Sequence, residues 1–280
     1  MTNRFAGKGV VVTGGGRGIG QAIAIRMAAE GARVVINDLD ADAAIEVARE
    51  IGGLAVPGDA ATDAGVDELV GVAREHLGGI DIYFANAGVD VGSDLTDLTD
   101  PAGVSGRTGL NALDASVEDW SRAFEVNVMA HVRAARRLMP AWIEQGAGRF
   151  VVTASAAGLL TMLGNAPYSV SKHGAVAFAE WLSATFGHRG IVVQAICPEG
   201  VNTQMLDHAG PLKDLLTRDK ALEPEQVAET VWQALQDDRF LILPHPQVKG
   251  YYEYRATNTD GWLAGMGKLQ RRLEETGGIS

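Results

Sequence analysis

Short runs rich in Val and Ile recur along the chain, and longer stretches with helical spacing of apolar and polar positions separate them. The runs fall at Gly9–Thr13, Arg33–Asn37, Leu54–Pro57, Ile80–Ala85, Arg149–Thr153, Ile191–Cys197 and Phe240–Leu243. They show little alternation, which is how strands buried on both faces of a parallel sheet read. Helical segments between successive strands predict repeated βαβ units. Right-handed crossovers then wind these into an α/β fold, a Rossmann-type doubly wound parallel sheet of about seven strands with helices on both faces. No repeat of fixed period and no low-complexity linker breaks the pattern, so residues 1–280 are expected to form a single domain.

Two regions depart from this rhythm. Asp90–Glu118 is polar and acidic, carrying Asp90, Asp94, Asp97, Asp100 and Asp114, and reads as an insertion over about 90–115. Loops this long inside compact domains are commonly functional, so a lid or pocket wall is expected there, hinged at Gly92, Gly103, Gly106 and Gly109. The second region is the tail over 244–280, with Tyr251, Tyr252, Tyr254 and Trp262. Aromatics this dense are expected to pack on the body or on another subunit.

Composition narrows the class. Hydrophobic residues make up 46% and charged residues 21%, which fits a globular chain and not a disordered one. A net charge of −11 argues against nucleic acid and anionic lipid as partners. The start of the chain has no apolar signal core, and no run of about 18 apolar residues occurs, so no membrane span is expected. Cys197 is the single cysteine, which excludes an intrachain disulfide and points to a reducing, cytoplasmic home.

The candidate chemistry begins at Thr13-Gly14-Gly15-Gly16-Arg17-Gly18-Ile19-Gly20, between the first strand and a helix expected over Gln21–Glu30. The glycine spacing is not G-x-G-x-x-G, but the physics is shared. Gly14 allows a tight turn, Gly18 lets main chain approach a pyrophosphate, and Gly20 lets helix lie close to strand. The helix N-terminus then offers N–H groups and a partial positive charge to phosphate. Asp38 ends the second strand, where a carboxylate accepts both ribose hydroxyls of an adenosine and repels a 2′-phosphate. Arg17 pulls the other way, toward a 2′-phosphate; Asp38 is weighed more heavily, giving NAD as the expected cofactor. Tyr168 and Lys172 stand four residues apart, one face of a helix. A lysine cation beside a phenol favours the phenolate and lowers its pKa toward neutrality, which suits proton transfer at an alcohol oxygen.

With these residues in place the chain resembles the short-chain dehydrogenase/reductase family from about Lys8 to Leu243. Its T-G-x-x-x-G-x-G motif is Thr13–Gly20, its acidic residue after the third strand is Asp59, followed by Ala60, and its N-A-G is Asn86-Ala87-Gly88. Its catalytic asparagine, serine and Y-x-x-x-K match Asn127, Ser155, and Tyr168 with Lys172. The resemblance implies Tyr168 as general acid/base. It implies Lys172 as the residue that tunes Tyr168 and holds the nicotinamide ribose. Ser155 would steady the substrate oxygen, and Asn127 would help bind a water relaying protons from Lys172. It also implies cofactor contacts from Gly14, Arg17, Gly18, Ile19, Gly20, Asp38, Leu39, Asp59, Ala60, Asn86, Ala87 and Gly88, and from Val201 and Thr203 at the carboxamide.

Departures accompany the match. Aligned on Val201 and Thr203, Glu199 stands where the family has glycine, which puts a carboxylate near the pocket mouth. The acidic loop is longer than usual, and the usual C-terminal ending is replaced by the aromatic tail. The six histidines show no metal spacing, so no metal site is expected; His173 is expected at the surface or an interface, and Cys197 buried near the cofactor. Leu159, Leu160, Met162, Leu163, Met205 and Leu206 predict apolar pocket walls, hence a hydrophobic or alicyclic secondary alcohol or ketone. Helices over Ser116–Pro140 and Ala166–Phe186 are expected to pair subunits into a homodimer or homotetramer, with Ala175, Phe178, Ala179, Leu182 and Phe186 on the contact face. The expected activity is that of an NAD(H)-dependent alcohol dehydrogenase or carbonyl reductase. An NADP(H)-dependent reductase and a non-catalytic dinucleotide-binding protein on the same fold remain as alternatives.

Overall fold

The computed structural model describes residues 4–91, 115–207 and 220–275. The insertion expected over 90–115 lies almost wholly outside the described residues, and the lid reading with it.

Seven parallel strands form one sheet, in the order β3-β2-β1-β4-β5-β6-β7. They are β1 (Gly9–Thr13), β2 (Arg33–Asn37), β3 (Leu54–Ala55), β4 (Ile82–Ala85), β5 (Gly148–Thr153), β6 (Ile191–Ile196) and β7 (Leu241–Ile242). The expected run at Leu54–Pro57 shortens to two residues, since Pro57 has no N–H to give the ladder. The run from Ile80 enters the ladder as β4 at Ile82; before it, Asp81 bonds to the main chain of Gly9 and Arg149, and the Ile80 carbonyl accepts the Trp142 indole N–H at 2.6 Å. Chain order reverses between β1 and β4, and the crevice at their C-terminal ends is where doubly wound sheets bind ligands.

Side chains alternate between two cores. Val10, Val12, Ile36 and Phe84 face α1 (Gly18–Ala29), α2 (Ala41–Ile51) and α8 (Pro224–Asp237). Val11, Val35, Tyr83 and Phe150 face α3 (Asp63–Leu77), α5 (Ala130–Gln145) and α6 (Ala166–Phe186). Local chemistry sets the helix ends. The Asp40 carboxylate accepts the Ala43 N–H at 3.1 Å to start α2, and the Thr62 hydroxyl accepts the Gly65 N–H at 3.0 Å to start α3. The remaining helices are α4 (Val117–Phe124), α7 (Gln204–Asp207), α9 (Gln247–Thr257) and α10 (Thr259–Glu275).

Three sequence expectations are corrected here. Pro140 does not end its helix: α4 leads through a π-turn at Glu125–Met129 into α5, which runs to Gln145 because Leu138, Met139 and Trp142 are buried beyond and beside the proline. Truncating a side chain like Trp142 to alanine costs about 3–5 kcal/mol. The face of α6 assigned to subunit contact is largely the core face, since Ala175, Ala179 and Leu182 are buried in this chain's own core. Leu159 likewise packs in the core and not on the pocket.

Candidate active site

A cavity of about 1610 Å³ opens along the C-terminal edge of the sheet. The phosphate loop forms one end. The Thr13 hydroxyl accepts the N–H groups of Asn86 and Ala87, both at 3.0 Å, and the Asn86 amide donates to the carbonyls of Thr13 and Gly14 at 3.0 and 3.1 Å. This clamps the loop after β1 to the end of β4. Gly14 adopts the left-handed region (φ 59°), and a Cβ there would stand 2.9 Å from the Ala87 Cα. A Cβ on Gly20 would stand 2.1 Å from the Gly14 carbonyl oxygen, so only glycine lets α1 start this close to β1. No side chain caps the start of α1. An uncapped helix N-terminus beside a main-chain cradle fits a pyrophosphate.

Asp38 lies at the β2 end of this region. Its Oδ2 accepts the Gly16 N–H at 2.9 Å and its Oδ1 the Asp40 N–H at 3.1 Å, which aims the carboxyl group across the loop. Arg17 is engaged elsewhere: it pairs with Asp40 and donates to the Gln204 side-chain oxygen at 2.9 Å. Leu39, Asp59 and Ala60 complete this wall, and Val201 and Thr203 line the cavity from the other side of the switch point.

Further along, Ser155 follows β5 and α6 presents Tyr168 and Lys172. Asn165 caps α6, its side-chain oxygen accepting the Tyr168 N–H at 3.0 Å. The Ser155 hydroxyl, which donates to the Pro198 carbonyl at 3.4 Å, stands near the Tyr168 phenol and favours its phenolate. The Lys172 ammonium donates to the Thr153 carbonyl at 3.0 Å and lies 5.6 Å from the centre of the Tyr168 ring. Burial pushes the Tyr168 phenol well above its ordinary pKa, the Asp90 carboxylate adds to this, and the Ser155 hydroxyl opposes it. Burial brings Lys172 down to about 8, against the opposing pull of Cys197 and Asp90. The expected drop of Tyr168 toward neutrality is therefore not the balance found here: loss of hydration outweighs the favourable groups.

Of the residues expected to act, only Asn127 stands away from the cavity wall. It is fully buried in the π-turn, its Oδ1 accepting the Val89 N–H at 2.9 Å and its amide donating to the Val89 carbonyl and the Ser171 hydroxyl, both at 3.0 Å. Its side chain thus ties the end of β4 to α6. Three other placements bear on the site. Cys197 is buried, its thiol pushed up to about 12, which leaves it inert. His131, one turn beyond Asn127, is held neutral by burial and the nearby Lys172 charge, its pKa down to about 3. His173 is half-buried, not at the surface, beneath Arg255 of α9. Among the described residues no helix is long and apolar enough to cross a membrane.

Comparison with known proteins decides the family. The short chain dehydrogenase family model matches residues 8–213. This chain belongs to the short chain dehydrogenase family. Among its relatives, the 1-deoxy-11-beta-hydroxypentalenate dehydrogenase of Streptomyces exfoliatus is 32% identical over 248 residues, covering 86% of this chain and 84% of that one. A short chain dehydrogenase/reductase from Burkholderia phymatum, solved in complex with NAD, has TM-score 0.79 at 27% identity, covering 91% and 95% of the two chains. A 3-ketoacyl-(acyl-carrier-protein) reductase from Brucella melitensis, complexed with NADH, has TM-score 0.72 at 27% identity, covering 85% and 96%. The family match takes in β1 to β6 and stops short of α8, β7, α9 and α10.

Those last helices hold what the sequence reading missed in this dehydrogenase. Tyr251, Trp262, Met266 and Leu269 line the cavity, as does Asp90. The aromatic density of the tail was the available signal; its landing place was not encoded in any local pattern.

Proposed function

We propose that this protein is an NAD(H)-dependent dehydrogenase of a secondary alcohol, or the reductase of the matching ketone, working as one domain. The observation that carries the reading is that Ser155, Tyr168 and Lys172 line one cavity, the Lys172 ammonium 5.6 Å from the Tyr168 ring, between a glycine cradle and an apolar wall. A bound nicotinamide dinucleotide supplies the hydride acceptor or donor in such a site. Gly14, Gly18, Gly20 and Ile19 would hold its phosphates, Asp38 and Leu39 its adenosine ribose, Asp59 and Ala60 its adenine, and Asn86, Ala87, Gly88, Lys172, Val201 and Thr203 its nicotinamide half. Tyr168 takes the alcohol proton in oxidation and returns it in reduction. Ser155 donates to the substrate oxygen and steadies charge there. The Lys172 cation favours the phenolate, and Asn127 keeps its expected relay role from the π-turn behind it.

Asp38 supports NAD over NADP, because a 2′-phosphate would meet its carboxylate. The competing NADP(H) reading rests on Arg17, and the Asp40 partner of that guanidinium weakens it. The single buried thiol supports a reducing cytoplasm. Exposed Val170 and Trp181 on α6, with Phe124 and Met129 before it, support pairing of subunits on this face as a homodimer or homotetramer; light scattering at micromolar concentration gives the mass. The test of activity is a panel of secondary alcohols with NAD and with NADP, following absorbance of the reduced cofactor. Turnover with NAD at least tenfold more efficient than with NADP is expected. Equal use of both overturns the cofactor assignment, and no turnover with any alcohol or ketone overturns the dehydrogenase reading.

A further inference from the structure

Two departures from the family pattern, Glu199 and the aromatic tail, meet in space. The Glu199 N–H donates to His245 Nδ1 at 3.1 Å, and the Gln247 amide donates to Glu199 Oε2 at 2.6 Å. The carboxylate at the pocket mouth thus secures the root of α9. A second anchor lies in the middle of α9, where Arg255 donates to the Leu159 carbonyl and, at 3.2 Å, to His173 Nε2. His173 Nδ1 lies 2.8 Å from the Ser169 carbonyl, which only accepts. The proton therefore sits on Nδ1, and Nε2 is left as the acceptor for Arg255. A third anchor joins the Trp262 indole N–H to the Thr161 hydroxyl at 3.2 Å.

All three anchors fall on segments that carry the reacting groups. Glu199 follows Pro198, whose carbonyl accepts the Ser155 hydroxyl at 3.4 Å and the Ala156 N–H at 2.7 Å. Leu159 and Thr161 lie between Ser155 and Tyr168, and His173 is next to Lys172. On α10, Trp262, Met266 and Leu269 sit at i, i+4 and i+7, one stripe of the helix. None of them is fully buried, and all three line the cavity. Trp262 packs in part against the core, and the surface that it, Met266 and Leu269 keep uncovered faces the cavity.

We infer that α9 and α10 form a specificity-determining wall for alcohols or ketones with a bulky apolar body, held in register with Ser155 and Tyr168 chiefly by the Glu199 and Arg255 anchors. The inference rests on the dehydrogenase reading above and adds the substrate class. A bulky apolar body takes from water the surface of Trp262, Met266 and Leu269, which a small alcohol leaves wet.

The test uses the full chain with cyclohexanol as the small alcohol and the bicyclic alcohol borneol as the bulky one, both with NAD. The wild type should favour borneol in kcat/KM. Trp262→Ala should lower kcat/KM for borneol about tenfold or more, chiefly through KM, and change cyclohexanol less than twofold. Trp262→Phe should recover most of the loss, and NADH titration by fluorescence should be unchanged in both variants, which controls for folding. A parallel fall for the two alcohols, or none, overturns the wall. Calorimetric binding of camphor to the NADH complex reads the wall without turnover. Camphor binding that Trp262→Ala weakens about tenfold, in a protein that turns over no alcohol, sustains the wall and refutes the dehydrogenase reading; no camphor binding to the wild type refutes the wall.

Discussion

At the phosphate end of the cavity main chain meets main chain: Gly14 lies against Ala87, Gly20 against Gly14, and the Asn86 amide stitches the loop to β4. At the substrate end side chains meet side chains, with Met162, Met205 and Trp262 arriving from three separate segments. The first surface leaves no room for a Cβ, so its sequence is tightly constrained whatever the substrate. The second tolerates exchange of one apolar side chain for another, so it can be reshaped without disturbing the first. Ser155, Tyr168 and Lys172 stand between the two and serve both.

Removing the group that both ends share should have the largest effect. Tyr168→Phe keeps the ring and its packing but deletes the proton donor. Acid–base catalysis contributes about 10²–10⁴-fold, so kcat should fall by at least that much, while NADH affinity by fluorescence titration stays within about twofold. Near wild-type turnover would refute the role given to Tyr168. A smaller effect should appear at the phosphate end alone. Asp38→Ala should cut the NAD-over-NADP preference by about tenfold, with little change in kcat for the preferred alcohol. Asp40→Ala, which removes the carboxylate partner of the Arg17 guanidinium, should raise NADP efficiency further in that background. If Asp38→Ala leaves the ratio of the two kcat/KM values unchanged, the carboxylate does not select the cofactor.

The same contrast explains what was legible in the sequence. Strands β1 and β2 and helix α6 match their expected bounds residue for residue, because a run of Val and Ile or a capped helical period is a local signal. The glycine spacing, Asp38 and the Tyr168/Lys172 pair were readable for the same reason: each obeys a short-range geometric rule. Pro140 misled because a proline is a local stop signal, while Trp142 buried two residues later is a tertiary cause for the helix to continue. The apolar side of α6 signalled burial correctly but not by what, since core and subunit contact look alike in sequence. Trp262, Arg255 and Glu199 were invisible as a set because tens of residues separate partners such as Arg255 and His173. The pKa of Tyr168 went the other way from expectation because hydration, unlike spacing to Lys172, is a property of the folded cavity.

The smallest expected effect concerns Asp90, which joins the two ends electrically. Its Oδ1 accepts the Asn165 amide N–H at 2.5 Å, the same amide donates to the Val91 carbonyl at 2.9 Å, and the Asn165 oxygen caps the Tyr168 N–H. Asp90→Asn keeps the size and leaves an oxygen for Asn165, so it removes charge with little change of shape. The Asp90 carboxylate raises the pKa of both Tyr168 and Lys172. A nearby negative charge disfavours phenolate and favours ammonium, and both preferences mean a proton held more tightly. Taking the charge away therefore lowers both values. Both groups stand on one site, so a measured limb is read as a property of the site and is not assigned to either residue alone. The direction does not depend on that assignment: each limb of the kcat/KM profile for alcohol oxidation should move to lower pH in Asp90→Asn. The move should shrink as salt is added, to the extent that the cavity admits ions. A profile that stays in place, or moves to higher pH, would mean that the Asp90 charge is not felt at the reacting oxygen, and that the substrate end acts on Tyr168 through shape alone.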